Sequence, residues 1–288
     1  RSYLQSDASV KKITNYITRK VADKLNSIFK NERENLESKW NDIKVVIEYG
    51  MLTEDKFYDK AESFNLYPTV DDKYFTYEEL EKKIKKLQTD KDGNLIILYA
   101  QNKDEQYTYI ESAKEKGYEV LLLDSPIIPH LMQKLESKKE KIKFSRVDSD
   151  TLENLIKKDE EVISKLTDEE KEKLKPMIET AVENEKYTVQ LEALDSNSMP
   201  FMLAQPEFMR RMKEMQQTGG GAMGNLPDMY SLIVNTNHEL VGKILNTRTE
   251  KKRNSLIKQS IDLAKLSQNN LTGKDLTEFI NRSIDLIK

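Results

Sequence analysis

Two short, continuous apolar runs near the middle of the chain constrain its fold most. They read NLIILYA at residues 94–100 and YEVLLL at residues 118–123, and a glycine immediately precedes each. Residues 105–116 between them have a helix-forming composition. A strand, a helix and a second strand in this order favour a right-handed crossover and a parallel pair buried on both faces. The alternating stretch IKFSRV at residues 142–147 predicts a third strand, so a small α/β layer is expected.

Helical periodicity dominates the sequence before these strands. Residues 7–30 carry apolar side chains at spacings of three and four, which predicts a long amphipathic helix; they are Val10, Ile13, Ile17, Val21, Leu25 and Ile28. Shorter helices are predicted around residues 36–47, 55–64 and 76–87, with Thr76 as the cap of the last one. We therefore expect a first domain, residues 1–150. It comprises a helical segment, residues 1–90, and a small three-layer α/β/α subdomain, residues 91–150.

The second half of the chain has a different pattern. Charged residues dominate 148–172, which suggests a hinge or connecting helix, and the domain boundary is predicted near residues 148–159. Residues 151–288 form the second predicted domain. Residues 187–194 alternate and return through 199–204, which predicts a hairpin. Residues 229–235 predict a further strand, and Asn237 is the expected cap of the helix that follows it. Two amphipathic helices close the chain, so the second domain is predicted to be α+β and the fold class as a whole mixed.

Composition excludes several classes of function. The 47 Lys and Arg residues nearly balance the 50 Asp and Glu residues, so no strong field for nucleic acid is expected. The apolar runs are too short to span a membrane. There is no cysteine, and the two histidines, His130 and His238, are far apart in sequence. The run GGGAMG at residues 219–224 lacks the Gly-Lys-Ser/Thr of a phosphate loop. We predict no metal site, no cofactor site and no independent enzyme activity in these residues.

Methionine is concentrated in one stretch. Seven of the ten methionines fall within residues 198–232. Phe208, Met212 and Met215 share one face of a predicted helix at positions i, i+4 and i+7. Unbranched thioethers suit a surface that repacks against many partners. In the alternative interpretation, the stripe packs on the domain's own sheet. If the methionines instead form a surface for partners, Arg210, Arg211 and Lys213 are expected to keep the opposite face of the helix in water.

Six sequence blocks together resemble one family. They are RSYLQSD (residues 1–7), VADKLNSIFKNERENLESKWNDI (21–43), EVLLLDSPI (119–127), MPFMLAQPEFMRRMKEM (199–215), NLPDMYSLIVNTNHELVGKIL (225–245) and LAKLSQNNLTGKDLTEFINRSIDLI (263–287). In this order and spacing the chain is similar to the heat shock protein 90 chaperone family in its bacterial form. The resemblance covers the later part of the family's middle domain and its C-terminal dimerisation domain. The family's nucleotide-binding domain is not in these residues, and a chain that opens on Arg1 is expected to be a fragment.

The resemblance implies an ATP contact in the intact protein. Arg1 and Gln5 match the middle-domain residues that reach the ATP site, although Ser2 stands where the family commonly has Glu. ATP with Mg is the cofactor expected for the full-length parent. Because the nucleotide domain is missing here, these residues alone should be inactive. The alternative for Arg1 is a disordered chain end.

The resemblance also implies partners. It places Phe208, Met209, Met212 and Met215 on a client-binding face in the cleft between two protomers. The last two helices contribute to a four-helix bundle in a homodimer, through Leu256, Ile257, Ile261, Leu263, Leu276, Phe279, Ile280, Ile284 and Ile287. The implied function is a molecular chaperone of the bacterial cytoplasm that binds unfolded or partly folded proteins. The alternative is a helical dimerisation scaffold without client binding.

Overall fold

A computed structural model of the chain describes residues 8–159, 162–182, 186–219 and 229–287. These residues form 13 helices and eight strands, which confirms the predicted mixed class. They cluster into two compact units, and the chain passes from the first to the second between Arg146 and Val147. The first unit also includes Gln217–Gly219, and the second also includes Asp104–Tyr109. The identification of the units with a middle and a C-terminal domain stays a prediction.

The first unit begins with four helices and continues with strands that alternate with helices. Its elements are α1 (Ala8–Asn31), α2 (Arg33–Ser38), α3 (Trp40–Thr53), α4 (Asp55–Ala61), β1 (Tyr67–Pro68), β2 (Tyr74–Phe75), α5 (Tyr77–Gln88), β3 (Leu95–Ala100), α6 (Tyr107–Glu115), β4 (Val120–Leu122), α7 (Ile128–Lys138) and β5 (Ile142–Arg146). Thr76 caps α5 as predicted, and Glu79 completes a reciprocal capping box with it.

The predicted parallel sheet is present. β3 lies in the centre and pairs in parallel with β4 on one side and β5 on the other. All six residues of β3 are buried, as expected for a central strand covered on both faces. Side chains of this sheet share one hydrophobic core with α3, α4 and α7, whose largest members include Trp40 and Phe64. The two predicted parts of the first domain therefore share one core.

Helix α1 is amphipathic as predicted, but its apolar face is not uniformly covered. Leu25 and Ile28 pack against the core. Ile13, Ile17 and Val21, nearer the start of the helix, are exposed. Among the described residues, the apolar face of α1 is therefore covered only near the C-terminal end of the helix.

The second unit carries the other sheet and the closing helices. Its elements are α8 (Leu152–Leu155), α9 (Asp168–Glu179), β6 (Tyr187–Glu192), β7 (Phe201–Ala204), α10 (Glu207–Gly219), β8 (Tyr230–Asn235), α11 (Glu239–Asn246), α12 (Glu250–Ser267) and α13 (Gly273–Ile287). Its core contains Val189, Phe201, Leu232 and Val241, with Ile257 and Ile261 of α12.

The predicted hairpin between β6 and β7 is wrong. The strand order is β6-β8-β7, so the later strand β8 lies between them. It pairs in parallel with β6 and antiparallel with β7. The last four residues of β8 are buried, and a buried strand needs partners for its backbone on both edges. Because β8 lies between β6 and β7, the backbone groups on both of its edges have a neighbouring strand to pair with.

The cap of α11 also differs from the prediction. His238, and not Asn237, is the N-cap residue, and its Nδ1 accepts a hydrogen bond of 3.0 Å from the Leu240 amide. The Asn237 side chain instead accepts from the Lys165 amide and donates to the carbonyls of Ile163 and Leu194. Asn237 thus joins three segments of the second unit. None of the helices formed by the described residues is both long and apolar enough to cross a membrane.

Candidate functional site

Helix α10 carries the predicted methionine stripe. It follows β7 after a short turn, and the Arg210 amide donates to the Pro206 carbonyl to close its first turn. Pro is tolerated at this position because the first amides of a helix have no partner within it. The helix ends at Gly219, and residues 220–228 lie outside the described part of the chain. That gap includes most of the predicted glycine loop.

One charged residue of α10, Arg210, is buried, and the aromatic residue Phe208 points outward. Arg210 is only 3% exposed, whereas Phe208 is 71% exposed. With 3.6 residues per turn, these two side chains lie on nearly opposite faces of the helix. An amphipathic helix ordinarily turns its apolar face toward the protein. Helix α10 shows the reverse arrangement at these two positions.

Three ion pairs hold the buried charge of Arg210 and its neighbour Arg211. Arg210 Nη2 donates to Glu207 Oε1 at 2.6 Å, and Arg210 Nη1 pairs with Glu214. Arg211 Nε donates to the same Glu207 oxygen at 2.6 Å. The expectation that Arg210 keeps a face of α10 in water is therefore wrong. Two carboxylates balance the charge of the Arg210 guanidinium and accept hydrogen bonds from its two Nη atoms, which offsets part of the cost of burying it.

The three predicted client-contact methionines of α10 are half-buried. Met209, Met212 and Met215 are neither in the core nor fully exposed. Phe208 is the outermost of the four predicted residues. The structure therefore brings Phe208, Met212 and Met215 to one helix face. Their contact with a client stays a prediction.

Helices α12 and α13 form the second candidate surface. Polar pairs join them: Gln259 donates to Ser283 at 2.9 Å, Arg282 pairs with Asp262, and Lys258 pairs with Glu278 at 3.0 Å. Asp262 is buried, so its pairing with Arg282 offsets the cost of burying the carboxylate. The hydrogen bond from Lys258 lowers the pKa of Glu278. These contacts fix the position of one helix against the other.

The nine predicted dimerisation residues divide by burial. Ile257, Ile261 and Phe279 are buried within the chain, and Leu256 and Leu276 are half-buried. Four are exposed: Leu263, Ile280, Ile284 and Ile287. Leu266, which is not among the nine predicted residues, is exposed as well. Its position three residues after Leu263 on α12 is the signal that could have identified it.

Five apolar side chains thus remain exposed on α12 and α13, and the spacing of Ile280, Ile284 and Ile287 places those three on one face of α13. We call this set the hairpin face, and it comprises Leu263, Leu266, Ile280, Ile284 and Ile287, which are 41–85% exposed. Exposed apolar groups that cluster together mark sites of interaction more often than scattered ones do. Association of this face with a second copy stays a prediction.

The other residues considered from the sequence are the two predicted ATP contacts, the histidines and possible metal ligands. Arg1 and Gln5 lie outside the described residues. His238 caps a helix, in agreement with a structural interpretation of that histidine. Within the part of the chain that the structure describes, no group of three or more His, Cys, Asp or Glu residues is placed to hold a metal ion.

Comparison with known proteins identifies the family. The sequence model described as Hsp90 protein matches residues 1–283. The chaperone protein HtpG of Bacteroides thetaiotaomicron is 41% identical, over all of this chain and 52% of the relative. The HtpG of Porphyromonas gingivalis is 44% identical over 92% of this chain and 40% of the relative. That of Bdellovibrio bacteriovorus is 25% identical over 87% of this chain.

The chain spans about half the length of the Bacteroides relative and less of the Porphyromonas one. The family match nevertheless extends over nearly the whole chain, across both compact units. The chain therefore belongs to the Hsp90 protein family.

Proposed function

We propose that this chain is the client-handling and dimerising part of an ATP-dependent Hsp90 chaperone. The observation that carries the proposal is the orientation of α10, which buries Arg210 and exposes Phe208. A side chain of this size is left in water at a cost of about 1.5–3 kcal/mol relative to full burial. A helix that keeps this arrangement fits a surface that receives an apolar partner.

The chemistry of the stripe suits clients of varied sequence. Methionine is unbranched and polarizable, so Met209, Met212 and Met215 can repack around different apolar groups. Phe208 adds a large aromatic contact, of the kind that dominates binding energy at interfaces. Unfolded or partly folded proteins expose such apolar segments. A dimerisation scaffold without client binding, the second candidate, would not need this face open.

The hairpin face supports a homodimer. Burying the exposed half of its five side chains on both protomers would contribute about 8–15 kcal/mol. Association costs an estimated 4–15 kcal/mol in lost rigid-body freedom. The two terms are similar, so the half-buried Leu256 and Leu276 would need to contribute too. Two helices from each copy around a twofold axis give a four-helix bundle.

ATP hydrolysis belongs to the whole protein in this proposal. Arg1 and Gln5 would contact ATP, bound with Mg by the part of the relatives that this chain does not span. A guanidinium can stabilise the charge on a transferring phosphoryl group. In the full-length protein, Arg1→Ala should lower ATP turnover more than nucleotide affinity, and unchanged turnover would remove Arg1 from the mechanism. Because the relatives above are bacterial, we propose the bacterial cytoplasm as the location.

Met212→Ala and Met215→Ala test the client surface. Each variant is measured for melting temperature and for affinity to a permanently unfolded protein. We expect each to cost less than about 1 kcal/mol of stability, the norm for surface sites, and to weaken binding. Met132→Ala is the matched control, since Met132 is fully buried in the first unit. That control should cost about 2–5 kcal/mol of stability and leave affinity unchanged.

The result also separates the two candidate functions. Suppression of aggregation of a heat-unfolded protein, lost in Met212→Ala, would support the chaperone. A large drop in melting temperature with unchanged affinity would mean that the methionines are packing residues, and the client surface would then lie elsewhere. A chain that neither binds unfolded protein nor suppresses aggregation would support the scaffold.

A further inference from the structure

Methionine is the only sulfur-containing residue type in the chain, which has ten methionines and no cysteine. Oxidants of the peroxide class react with the sulfur of either residue, and cells can reverse the first step of each oxidation. In these 288 residues, reversible oxidation of sulfur is therefore confined to methionine. Where the methionine side chains are accessible then decides which part of the chain an oxidant reaches.

The described methionines differ in exposure between the two units. Met51 and Met132 of the first unit are 0% exposed and lie in its hydrophobic core. The described methionines of the second unit all have accessible surface. Met229 is exposed, and six others are half-buried: Met177, Met199, Met202, Met209, Met212 and Met215. A peroxide must contact the sulfur atom that it oxidises, so the second unit offers it the accessible thioethers.

Helix α10 concentrates three of these side chains. Met209, Met212 and Met215 follow one another at intervals of three residues, so each is a surface neighbour of the next. Met212 and Met215 share the helix face that carries Phe208, which is 71% exposed. Oxygen added to these sulfurs therefore changes one continuous helix surface. Oxidation of scattered methionines would instead change separate parts of the unit.

We propose that Met209, Met212 and Met215 are a reversible oxidation site at which a peroxide weakens the binding of apolar clients. The thioether sulfur attacks the O–O bond of hydrogen peroxide, takes up one oxygen and is oxidised by two electrons to the sulfoxide, while the other oxygen leaves as water. A sulfoxide is polar, so burying it against an apolar client has a cost that the thioether does not have. The effect on clients rests on the client surface proposed above, whereas the reactivity of the three sulfurs does not.

Mass spectrometry of peptides from the 288-residue chain, treated while folded with hydrogen peroxide, tests the site without any client. The three α10 methionines should gain oxygen before Met51 and Met132 do. Two methionine sulfoxide reductases, one for each epimer of the sulfoxide, should then remove it. Oxidation of the α10 methionines that is no faster than that of the two buried ones would overturn the proposal.

Affinity for a permanently unfolded protein, measured after the peroxide has been removed, tests the effect. We expect oxidation to lower this affinity about tenfold, since the sulfoxides no longer gain the free energy of apolar burial. The reductases should restore it. Met209→Leu, Met212→Leu and Met215→Leu together remove the three sulfurs and keep apolar side chains of similar volume. This variant should bind before oxidation and keep its affinity afterwards.

The matched control replaces three half-buried methionines of the second unit that lie outside α10, by Met177→Leu, Met199→Leu and Met202→Leu together. It should remain as sensitive to peroxide as the wild-type chain. If the α10 variant loses as much affinity on oxidation as the wild-type chain does, the effect comes from other sulfurs and the proposal is wrong. It is also wrong if a chain that carries all three α10 sulfoxides binds as before.

Failure of the client surface gives a different result. A chain that binds no unfolded protein before oxidation refutes that surface, and with it the effect of oxidation on clients. The order of oxidation, measured on the chain alone, still decides whether the three α10 methionines form the accessible site.

Discussion

The second unit has two open apolar surfaces, and they are built differently. The stripe on α10 consists of one aromatic and two methionine side chains, and the hairpin face consists of leucine and isoleucine. Leucine and the β-branched isoleucine have few rotamers and pack in one way, whereas methionine adapts. The hairpin face therefore suits a single, repeated partner such as a second copy. The stripe suits partners of many shapes.

The contacts that hold the helices beneath the two surfaces also differ. Polar pairs join α12 to α13, and the opposite side of α12 contributes Ile257 and Ile261 to the core. The hairpin face is thus fixed by two independent kinds of contact. On the side of α10 away from Phe208, Arg210 and Arg211 pair with Glu207 and Glu214 of the same helix. The hairpin face is therefore tied to a neighbouring helix and to the core, whereas these charge pairs behind the stripe lie within α10 itself.

The largest expected effect is on the hairpin face. Ile280→Asp with Ile284→Asp places a carboxylate at two of its five positions. Each unpaired carboxylate costs several kcal/mol to bury, so the dimer dissociation constant should rise more than about a thousandfold. Sedimentation over a concentration series measures it. Asn281→Asp, at an exposed position between them, is the control and should still dimerise; an intact dimer in the double variant would place the interface elsewhere.

The next effect separates the two sides of α12. Ile257→Ala empties a core position and should cost about 2–5 kcal/mol of stability. Leu263→Ala, on the open side, should cost less than about 1 kcal/mol in the monomer and yet weaken dimerisation. Chemical unfolding should be measured in the monomeric Ile280→Asp, Ile284→Asp background, because dimerisation itself raises apparent stability. Equal losses from both substitutions would contradict the division of the helix.

A smaller effect is expected at the stripe. Phe208→Ala should weaken affinity for an unfolded protein by about 1–2 kcal/mol, as loss of an aromatic contact does. Melting temperature should not change, since the side chain is 71% exposed. Tyr107→Ala is the control, because Tyr107 is also an exposed aromatic residue. Equal binding losses from both variants would mean that any exposed aromatic residue contributes, and the stripe would lose its special role.

The smallest effect concerns the support of the hairpin face. Lys258 lowers the pKa of Glu278 below its usual 4.5. This ion pair therefore stabilises the fold above pH 4.5, and the contribution is lost as the pH falls through the lowered value. The difference in melting temperature between the wild-type chain and Glu278→Gln should be small at pH 7 and vanish in acid. High salt should also reduce it, and a difference that grows in acid would contradict the assignment.

Structural features that depend on residues close together in the chain could be predicted from the sequence. The parallel pair of β3 and β4 followed from two apolar runs and the helix between them, and the capping of α5 followed from Thr76 alone. Pairing over long separations could not be predicted in the same way. Residues 187–204 look like a hairpin because nothing within them shows that a strand 26 residues after β7 will lie between β6 and β7.

The orientation of α10 could not be predicted from the sequence, for a different reason. Periodicity shows that a helix has an apolar stripe, but it does not show which face the rest of the protein covers. The spacing of Glu207, Arg210 and Glu214 was the available signal that the charged face could be buried, because these residues can satisfy one another. His238 was missed as a cap because Asn is the commoner cap residue, and Asn237 has other partners here.

The central place of β8 has a consequence for synthesis of the protein. Among the described strands, both β6 and β7 pair only with β8, which follows them in the chain. The ribosome must add the 31 residues from Gln205 to Asn235 after β7 before that sheet can form. At about 5–20 residues per second, this takes about 2–6 s. During that interval two nascent strands have open edges, so a chain that belongs to a chaperone family is itself exposed to mispairing while it is made.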